Sequence, residues 1–263
     1  MKVLVIGGNG FLGRQICKAI PNSTTYGRAR NSKTHIKGDI LELEKLAEVI
    51  PKFDVIINCV GLSPLKQPKK DMYSQIHVLG VRNILFSLKQ GQRFIQISAI
   101  GADSSSEIEY LRTKGRAEEI IKSSKSNHLI IRPSIMFGKS AEIFKLTESL
   151  PFFPNIKAKV SPVYIGDVAS IIKENLKKRE GVIEVAGNMQ MTMYEFVKKY
   201  KKAKKQIIIK IPKPVYSPFL YMACKLNLFG LSMNQYKSIN KDNVSRKRYD
   251  YKYKEYEDWL RNL

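Results

Sequence analysis

Lys2-Val3-Leu4-Val5-Ile6-Gly7-Gly8-Asn9-Gly10-Phe11-Leu12-Gly13 stands at the start of the chain, and its reading decides the fold. The β-branched run from Lys2 to Ile6 predicts a buried strand. Phe11, Leu12, Ile16 and Ile20 fall at helical spacing and predict a helix over Gly10 to Ile20, stopped by Pro21. Between the two, Gly7, Gly10 and Gly13 form G-x-x-G-x-x-G. Gly7 permits a tight turn, Gly10 lets backbone approach a pyrophosphate without a Cβ, and Gly13 lets the helix pack close to the sheet. Asn9, Phe11 and Leu12 complete a loop whose N–H groups, with the positive end of the helix dipole, would meet the phosphates. In a strand–turn–helix setting this spacing marks a dinucleotide site.

Outward from this loop, strand and helix patterns alternate. Thr24 to Tyr26 and His35 to Lys37 read as strands two and three, and Asp54 to Val60 as a continuous apolar fourth. Arg93 to Ser98 reads as a fifth strand, and His128 to Arg132 as a sixth, stopped by Pro133. Helical patterns fall over Leu41 to Ile50, with Leu43, Leu46, Ala47 and Ile50 on one face, over Asp71 to Gln90 and over Glu107 to Ser123. Such alternation specifies an α/β fold: a Rossmann-type doubly wound parallel sheet with a small C-terminal α/β substrate lobe. Residues 1–135 are expected to form the dinucleotide-binding core, and residues 136–263 a smaller substrate or interaction lobe interleaved with it.

In that second part the pattern loosens. Helices are expected over Ala141 to Glu148, over Asp167 to Lys178 and after Thr192, where Tyr194, Phe196, Val197 and Tyr200 share a face. Short strands are expected over Val160 to Ile165, Gly181 to Val185 and Gln206 to Ile211. Pro214 to Leu231 is strongly apolar and reads first as core of the lobe. Beside its lysines, the same stretch would also suit a membrane face or a hydrophobic substrate.

The 263 residues are 43% hydrophobic, enough to bury a sizeable core. No run nears the roughly 20 apolar residues that span a membrane, and Val3 to Ile6 is too short for a signal-peptide core. Cys17, Cys59 and Cys224 are scattered, as are His35, His77 and His128, so neither disulfides nor a metal site is expected. These features point to a cytoplasmic protein, at most peripheral to a membrane. The net charge is +23, and Lys198 to Lys254 holds 16 Lys and Arg against only Asp242 and Asp250, a local net of 16 − 2 = +14. Such a surface attracts phosphate-rich partners, but no nucleic-acid motif accompanies it, and a solvated lysine-rich face is the simpler reading.

Strand two ends Thr24-Thr25-Tyr26-Gly27-Arg28-Ala29-Arg30, without the acid that holds a ribose 2′-hydroxyl in NAD sites. Arg28, followed by Arg30, suits a 2′-phosphate through charge-assisted bidentate bonds, so NADP(H) is preferred and NAD(H) is the alternative. Asp39, with Ile40 beside it, is either an acceptor for the adenine amino group or a polar turn residue. Cys59, Val60 and Gly61, after strand four, should line the cofactor at the sheet's carboxyl edge, and Pro133 is assigned to the same site. Tyr110 and Lys114 stand four residues apart on a helix, hence on one face. The lysine is expected to lower the phenol's pKa, letting Tyr110 exchange a proton with a substrate hydroxyl or carbonyl while hydride moves. Lys114 would also bond the nicotinamide ribose, and Ser98 would hold the same substrate oxygen.

Taken in order, these motifs, with Asp39 and Arg132-Pro133-Ser134 before Gly138, resemble the short-chain dehydrogenase/reductase superfamily in its extended and atypical branches, of NAD-dependent epimerase/dehydratase type. Ile57-Asn58-Cys59-Val60-Gly61, Ser98-Ala99-Ile100-Gly101-Ala102-Asp103, Tyr110-Leu111-Arg112-Thr113-Lys114, Pro162-Val163-Tyr164-Ile165-Gly166-Asp167-Val168-Ala169 and Lys241-Asp242-Asn243 are most similar to the NAD(P)-binding accessory subunits of respiratory complex I and their prokaryotic relatives. The resemblance implies bound NADP(H) or NAD(H) and leaves two functions open. One is an oxidoreductase or epimerase acting on an unknown small molecule through Tyr110, Lys114 and Ser98. The other is a nucleotide-binding accessory or sensor protein, associated with a protein partner or an anionic membrane surface. Relatives usually carry Asn where His77 stands, and that Asn connects the active-site lysine to water. His77 either replaces this relay, interrupts it, or is a buried hydrogen-bonded histidine.

Overall fold

The computed structural model describes residues 1–28, 35–65, 68–148, 151–178, 180–226, 233–245 and 247–263. Arg30 and the Asn227 to Leu231 end of the apolar stretch lie outside the described residues. The chain forms two compact units, one of residues 1–62, 68–133 and 165–184, the other of residues 63–67, 134–164 and 185–263.

The first unit begins β1 (Val3–Ile6), α1 (Phe11–Ala19), β2 (Thr24–Gly27), β3 (His35–Lys37), α2 (Leu43–Val49) and β4 (Val55–Asn58). It continues α3 (Met72–Ser74), a π-helical turn (Gln75–Leu79), α4 (Gly80–Ser87), β5 (Arg93–Ile97), α5 (Glu109–Ser123) and β6 (Asn127–Pro133). After β7 (Met136–Phe137), α6 (Glu142–Glu148), β8 (Phe152–Pro154), β9 (Lys159–Val160) and β10 (Val163–Tyr164), the chain returns as α7 (Ile165–Glu174) and β11 (Gly181–Val185). The sheet order is β11-β6-β5-β4-β1-β2-β3. Its five pairings from β3 to β6 are parallel. Order therefore reverses between β1 and β4, where Ile6 lies opposite Asn58, and ligands of such sheets bind beyond the strands' carboxyl ends at this switch point.

Every residue of β1, β4 and β5 is buried, as a sheet covered on both faces requires. Leu4, Ile6, Ile56, Phe94 and Ile130 pack with Leu46, Val49 and Ile50, with Val81 and Ile84 of α4, and with Ala117 and Ile121 of α5. The buried side of α2 is thus Leu46, Val49 and Ile50, whereas Leu43 and Ala47, expected there, are exposed.

The expected continuous helix over Asp71 to Gln90 is instead broken by the π-turn and ends at Ser87. A π-turn inserts one residue into the helical repeat and often marks a functional site. Here it carries His77.

The second unit holds β7 to β10, α6, β12 (Met191–Thr192), α8 (Met193–Ala203), β13 (Ile209–Ile211), α9 (Lys213–Lys225), α10 (Met233–Ile239) and α11 (Tyr256–Leu260). Pro162 splits the strand expected over Val160 to Ile165 into β9, which pairs with β12, and β10, which pairs with β7; proline cannot donate to a ladder. The core is aromatic: Phe144 stacks on Tyr200 at 3.9 Å, amid Phe137, Phe196, Tyr256 and Trp259. Thr192 and Glu195 form a reciprocal capping box that starts α8. Asn243 pins this unit internally: its Oδ1 accepts from the Ile135 N–H and the Ser134 hydroxyl, and its N–H donates to Lys159 O.

The apolar stretch departs from its expected role as core. Tyr216 is buried, but Val215, Phe219, Tyr221, Met222 and Leu226 are exposed. No helix among the described residues is long and apolar enough to cross a membrane.

Candidate dinucleotide and proton-transfer site

Each glycine of the first motif meets a different constraint. Gly7 has φ +83°, a conformation costly for any residue with a Cβ, and such an atom would also lie 2.8 Å from Val60 Cγ2. At Gly13 a Cβ would lie 2.2 Å from the Gly7 carbonyl oxygen and 2.7 Å from Gly8 Cα, so this glycine seats α1 on the strand end. Gly10 is exposed, with an ordinary φ of −73°, and a Cβ there would press only on Gly7 O at 3.2 Å.

The first turn of α1 has neither a side-chain cap nor an acid. The N–H groups of Phe11 and buried Leu12 therefore favour an anion. Asn9 closes the loop, its carbonyl accepting from Arg14 Nη1 at 2.8 Å. Gly8, not singled out by the motif, is also constrained: a Cβ would strike the Thr25 side chain at 2.5 Å.

At the end of β2, Arg28 has a largely exposed side chain, its Nε 3.8 Å from Asp39 Oδ2. Asp39 Oδ1 accepts from the Leu41 N–H, an ordinary turn role, while its carbonyl accepts from the Tyr26 hydroxyl. Ile40 is buried against Gly80, where a Cβ would come within 2.9 Å of Ile40 Cδ1. Beyond β4, the Cys59 thiol donates to Ile6 O, and burial pushes its pKa up to about 12. Val60 N–H donates to Asn58 Oδ1, and Asn58 in turn donates to Gln96. Pro133 is buried, and its carbonyl accepts from the Ile100 N–H.

The structure brings Lys114 to Gly61. A Cβ on Gly61 would lie 3.1 Å from Lys114 Nζ and 3.5 Å from His77 Nε2. Lys114 is buried and donates to Ile97 O at 3.0 Å. Burial lowers its pKa to about 8, and Glu118 and Cys59 act in the opposite direction. Tyr110 lies partly buried one turn earlier, packed edge-on to Tyr73 and His77 at 6.0 and 5.8 Å. Its pKa is raised to about 12 by burial, contrary to the expected lowering by Lys114, because desolvation of the phenolate dominates.

Ser98 is not free to donate to a substrate. Its hydroxyl donates to Glu118 Oε1 at 2.5 Å, and Glu118 is buried and paired with Arg132 through Nη2 and Nε. Glu118, which the motif reading missed, lies four residues beyond Lys114 on the same helix face, and that spacing was available as a signal.

Both nitrogens of His77 are occupied. A backbone N–H can only donate, so the Leu62 N–H fixes Nε2 as acceptor, at 3.1 Å. Nδ1 then carries the proton and donates to Thr113 Oγ1 at 2.9 Å, and Thr113 donates onward to Glu109 O. Burial, reinforced by Lys114, holds the imidazole pKa well below its ordinary value. Of the three roles open to His77, the buried, hydrogen-bonded one matches this geometry: it ties the loop after β4 to α5.

The profile described as "NAD dependent epimerase/dehydratase family" matches residues 3–186. Among curated proteins, the chain is 27% identical over 197 residues to the mitochondrial NADH-ubiquinone oxidoreductase 40 kDa subunit of Neurospora crassa, covering 65% of this chain and 51% of that one. The chain spans about half the length of this and similar curated relatives. Among solved structures, Thermus thermophilus UDP-glucose 4-epimerase in complex with NAD is 18% identical with a TM-score of 0.68, covering 81% of this chain and 86% of that one. Bacillus anthracis dTDP-4-dehydrorhamnose reductase in complex with NADP is 20% identical with a TM-score of 0.65, covering 80% and 83%. At these identities the likeness shows the shared fold.

Proposed function

The chain belongs to the NAD dependent epimerase/dehydratase family, and from that footing we propose that it is an NADP(H)-using reductase or epimerase with Tyr110 as proton donor. The observation that carries this reading is a buried lysine amine beside Gly61, at the sheet's switch point, one helical turn from a protonated tyrosine. The open cradle at Gly10 and the uncapped first turn of α1 fit a pyrophosphate. Arg28 fits a 2′-phosphate, with Asp39 drawing on part of its charge, and this supports NADP(H) over NAD(H).

A nicotinamide dinucleotide, when bound, supplies or accepts the hydride. The remaining chemistry falls to the chain. A phenol with a pKa near 12 is protonated at neutral pH and suited to give its proton to a carbonyl oxygen as that oxygen gains charge. Lys114, whose amine has a pKa of about 8, is still mostly charged at neutral pH; it favours the phenolate left behind and offers donors to a ribose. His77 and Ile97 hold the loop and the amine in place. The substrate class is a small molecule with a carbonyl or secondary hydroxyl.

A second reading, a nucleotide-binding accessory protein, is favoured by one observation: Ser98, the expected partner of the substrate oxygen, gives its hydroxyl proton to Glu118. Tyr110→Phe separates the two. The enzymatic reading predicts turnover by wild type over a panel of aldehydes and ketones, lost in the variant while NADPH stays bound. NADPH binding without turnover by wild type on any panel member supports the accessory reading instead. Failure to bind either nucleotide refutes both.

A further inference from the structure

An amphipathic helix normally turns its apolar stripe inward, and α9 does the opposite. Val215, Phe219, Met222 and Leu226 follow one another at steps of 4, 3 and 4 residues, so they form a single row along the helix. They are 65, 66, 50 and 58% exposed. The helix packs within its unit through other positions: Tyr216 is buried, Ser217 Oγ meets the Tyr236 hydroxyl of α10 at 3.1 Å, and Tyr221 meets Tyr236 edge-on. Ile207 and Ile209, just before α9 in the chain, are also exposed, at 74 and 57%. A row of exposed apolar side chains on one helix face marks an interaction surface.

The charge around the row narrows the partner. Between residues 204 and 226 stand Lys204, Lys205, Lys210, Lys213 and Lys225, with no Asp or Glu. Lys213 starts α9, and Lys225 stands at its end beside Leu226, the last residue of the row. Two copies meeting through this face would set these lysines against one another, so self-association is opposed by like charge. A surface that is negative outside and apolar within satisfies both features, and needs no matching shape.

We propose that the outward face of α9 docks the protein onto an anionic lipid surface. Phe219, Met222, Leu226 and Val215 enter the boundary between headgroups and acyl chains. The lysines extend their stems along the apolar face and keep their ammonium groups among the lipid phosphates. Charge recruits and apolar burial retains, the two signals that stable peripheral attachment requires. This inference does not depend on the catalytic reading, since α9 contributes no residue to the dinucleotide site described above.

The test is co-sedimentation of the full chain with vesicles of phosphatidylcholine and phosphatidylserine, and with vesicles of phosphatidylcholine alone. Wild type is expected to bind the mixed vesicles, weakly or not at all the neutral ones, and less as salt rises. The double variant Phe219→Ser, Met222→Ser changes only exposed positions and should keep the wild-type circular dichroism. Its partitioning should fall at least about tenfold, as loss of two buried apolar side chains implies. Lys225→Gln, next to Leu226, should weaken binding to the mixed vesicles selectively. Absence of wild-type binding to mixed vesicles overturns the proposal, as does undiminished binding by the double variant. A dimer in sedimentation velocity that the stripe substitutions dissociate, without vesicle binding, overturns it in favour of a copy-to-copy interface.

Discussion

His77→Leu is expected to lower stability by about 2–4 kcal/mol at neutral pH and to flatten the acid limb of the stability curve. The substitution removes the acceptor of the Leu62 N–H, which costs about 1–3 kcal/mol if that donor is left unpaired. It removes the donor to Thr113, worth about 1 kcal/mol net. It also replaces a tilted ring contact with Tyr73 and an edge-on one with Tyr110, at about 0.5 kcal/mol each, while leucine recovers part of the apolar burial. The pH dependence has a definite sign. Burial holds the folded imidazole well below its ordinary 6.5, so below that pH the unfolded chain takes up a proton that the folded chain refuses. Stability is intact above the unfolded pKa and falls below it, by at most roughly 1.4 kcal/mol per pH unit. Leucine cannot titrate, so the wild-type and variant curves should converge on acidification. Urea unfolding followed by circular dichroism across about pH 5 to 8 measures the effect. Equal stability of the two proteins at neutral pH, or parallel curves, would refute the assigned tautomer and its burial cost.

Other consequences are as direct. Gly13→Ala places a Cβ 2.2 Å from Gly7 O; it should destabilise by about 3 kcal/mol or more and appear as a lower urea midpoint or loss of soluble protein. Glu118→Ala leaves Ser98 and Lys122 without their partner and reduces Arg132 to Glu184 and Ala102 O; a loss of about 3 kcal/mol is expected, with Glu118→Gln closer to wild type in the same assay. Arg28→Gln should weaken NADPH about tenfold or more and leave NADH nearly unchanged in parallel titrations. Equal losses for both nucleotides would remove the argument for a 2′-phosphate contact.

The phosphate loop is legible in the chain because its motif is local: a strand, a turn and a helix within thirteen residues, with the Gly13 position set by Gly7 and Gly8 beside it. Tyr110 and Lys114 are legible for the same reason, since their spacing alone puts them on one face. What escapes is set by distant partners. The π-turn that carries His77 is tied by a bond from Leu62 N, fifteen residues earlier in the chain, and no helical periodicity signals it. Ser98 looks free until Glu118, twenty residues on, takes its hydroxyl. The Tyr110 pKa moves opposite to the expected direction because a neighbouring cation is visible in sequence and the depth of burial is not. In α9, apolar periodicity identifies a face correctly but cannot say whether protein covers it. Pro162 is different: its break in the β9–β10 segment follows from proline chemistry and was available from the residue alone.

The most direct test of the nucleotide site is calorimetric titration of NADPH into wild type and Gly10→Val. Position 10 is exposed and needs no positive φ, and a Cβ there meets only Gly7 O, at 3.2 Å, so the variant should keep the wild-type circular dichroism. Its branched side chain would occupy the space assigned to the pyrophosphate. The account predicts that wild type binds NADPH more tightly than NADH, and that Gly10→Val binds neither. A folded Gly10→Val that still binds NADPH with wild-type affinity would contradict it.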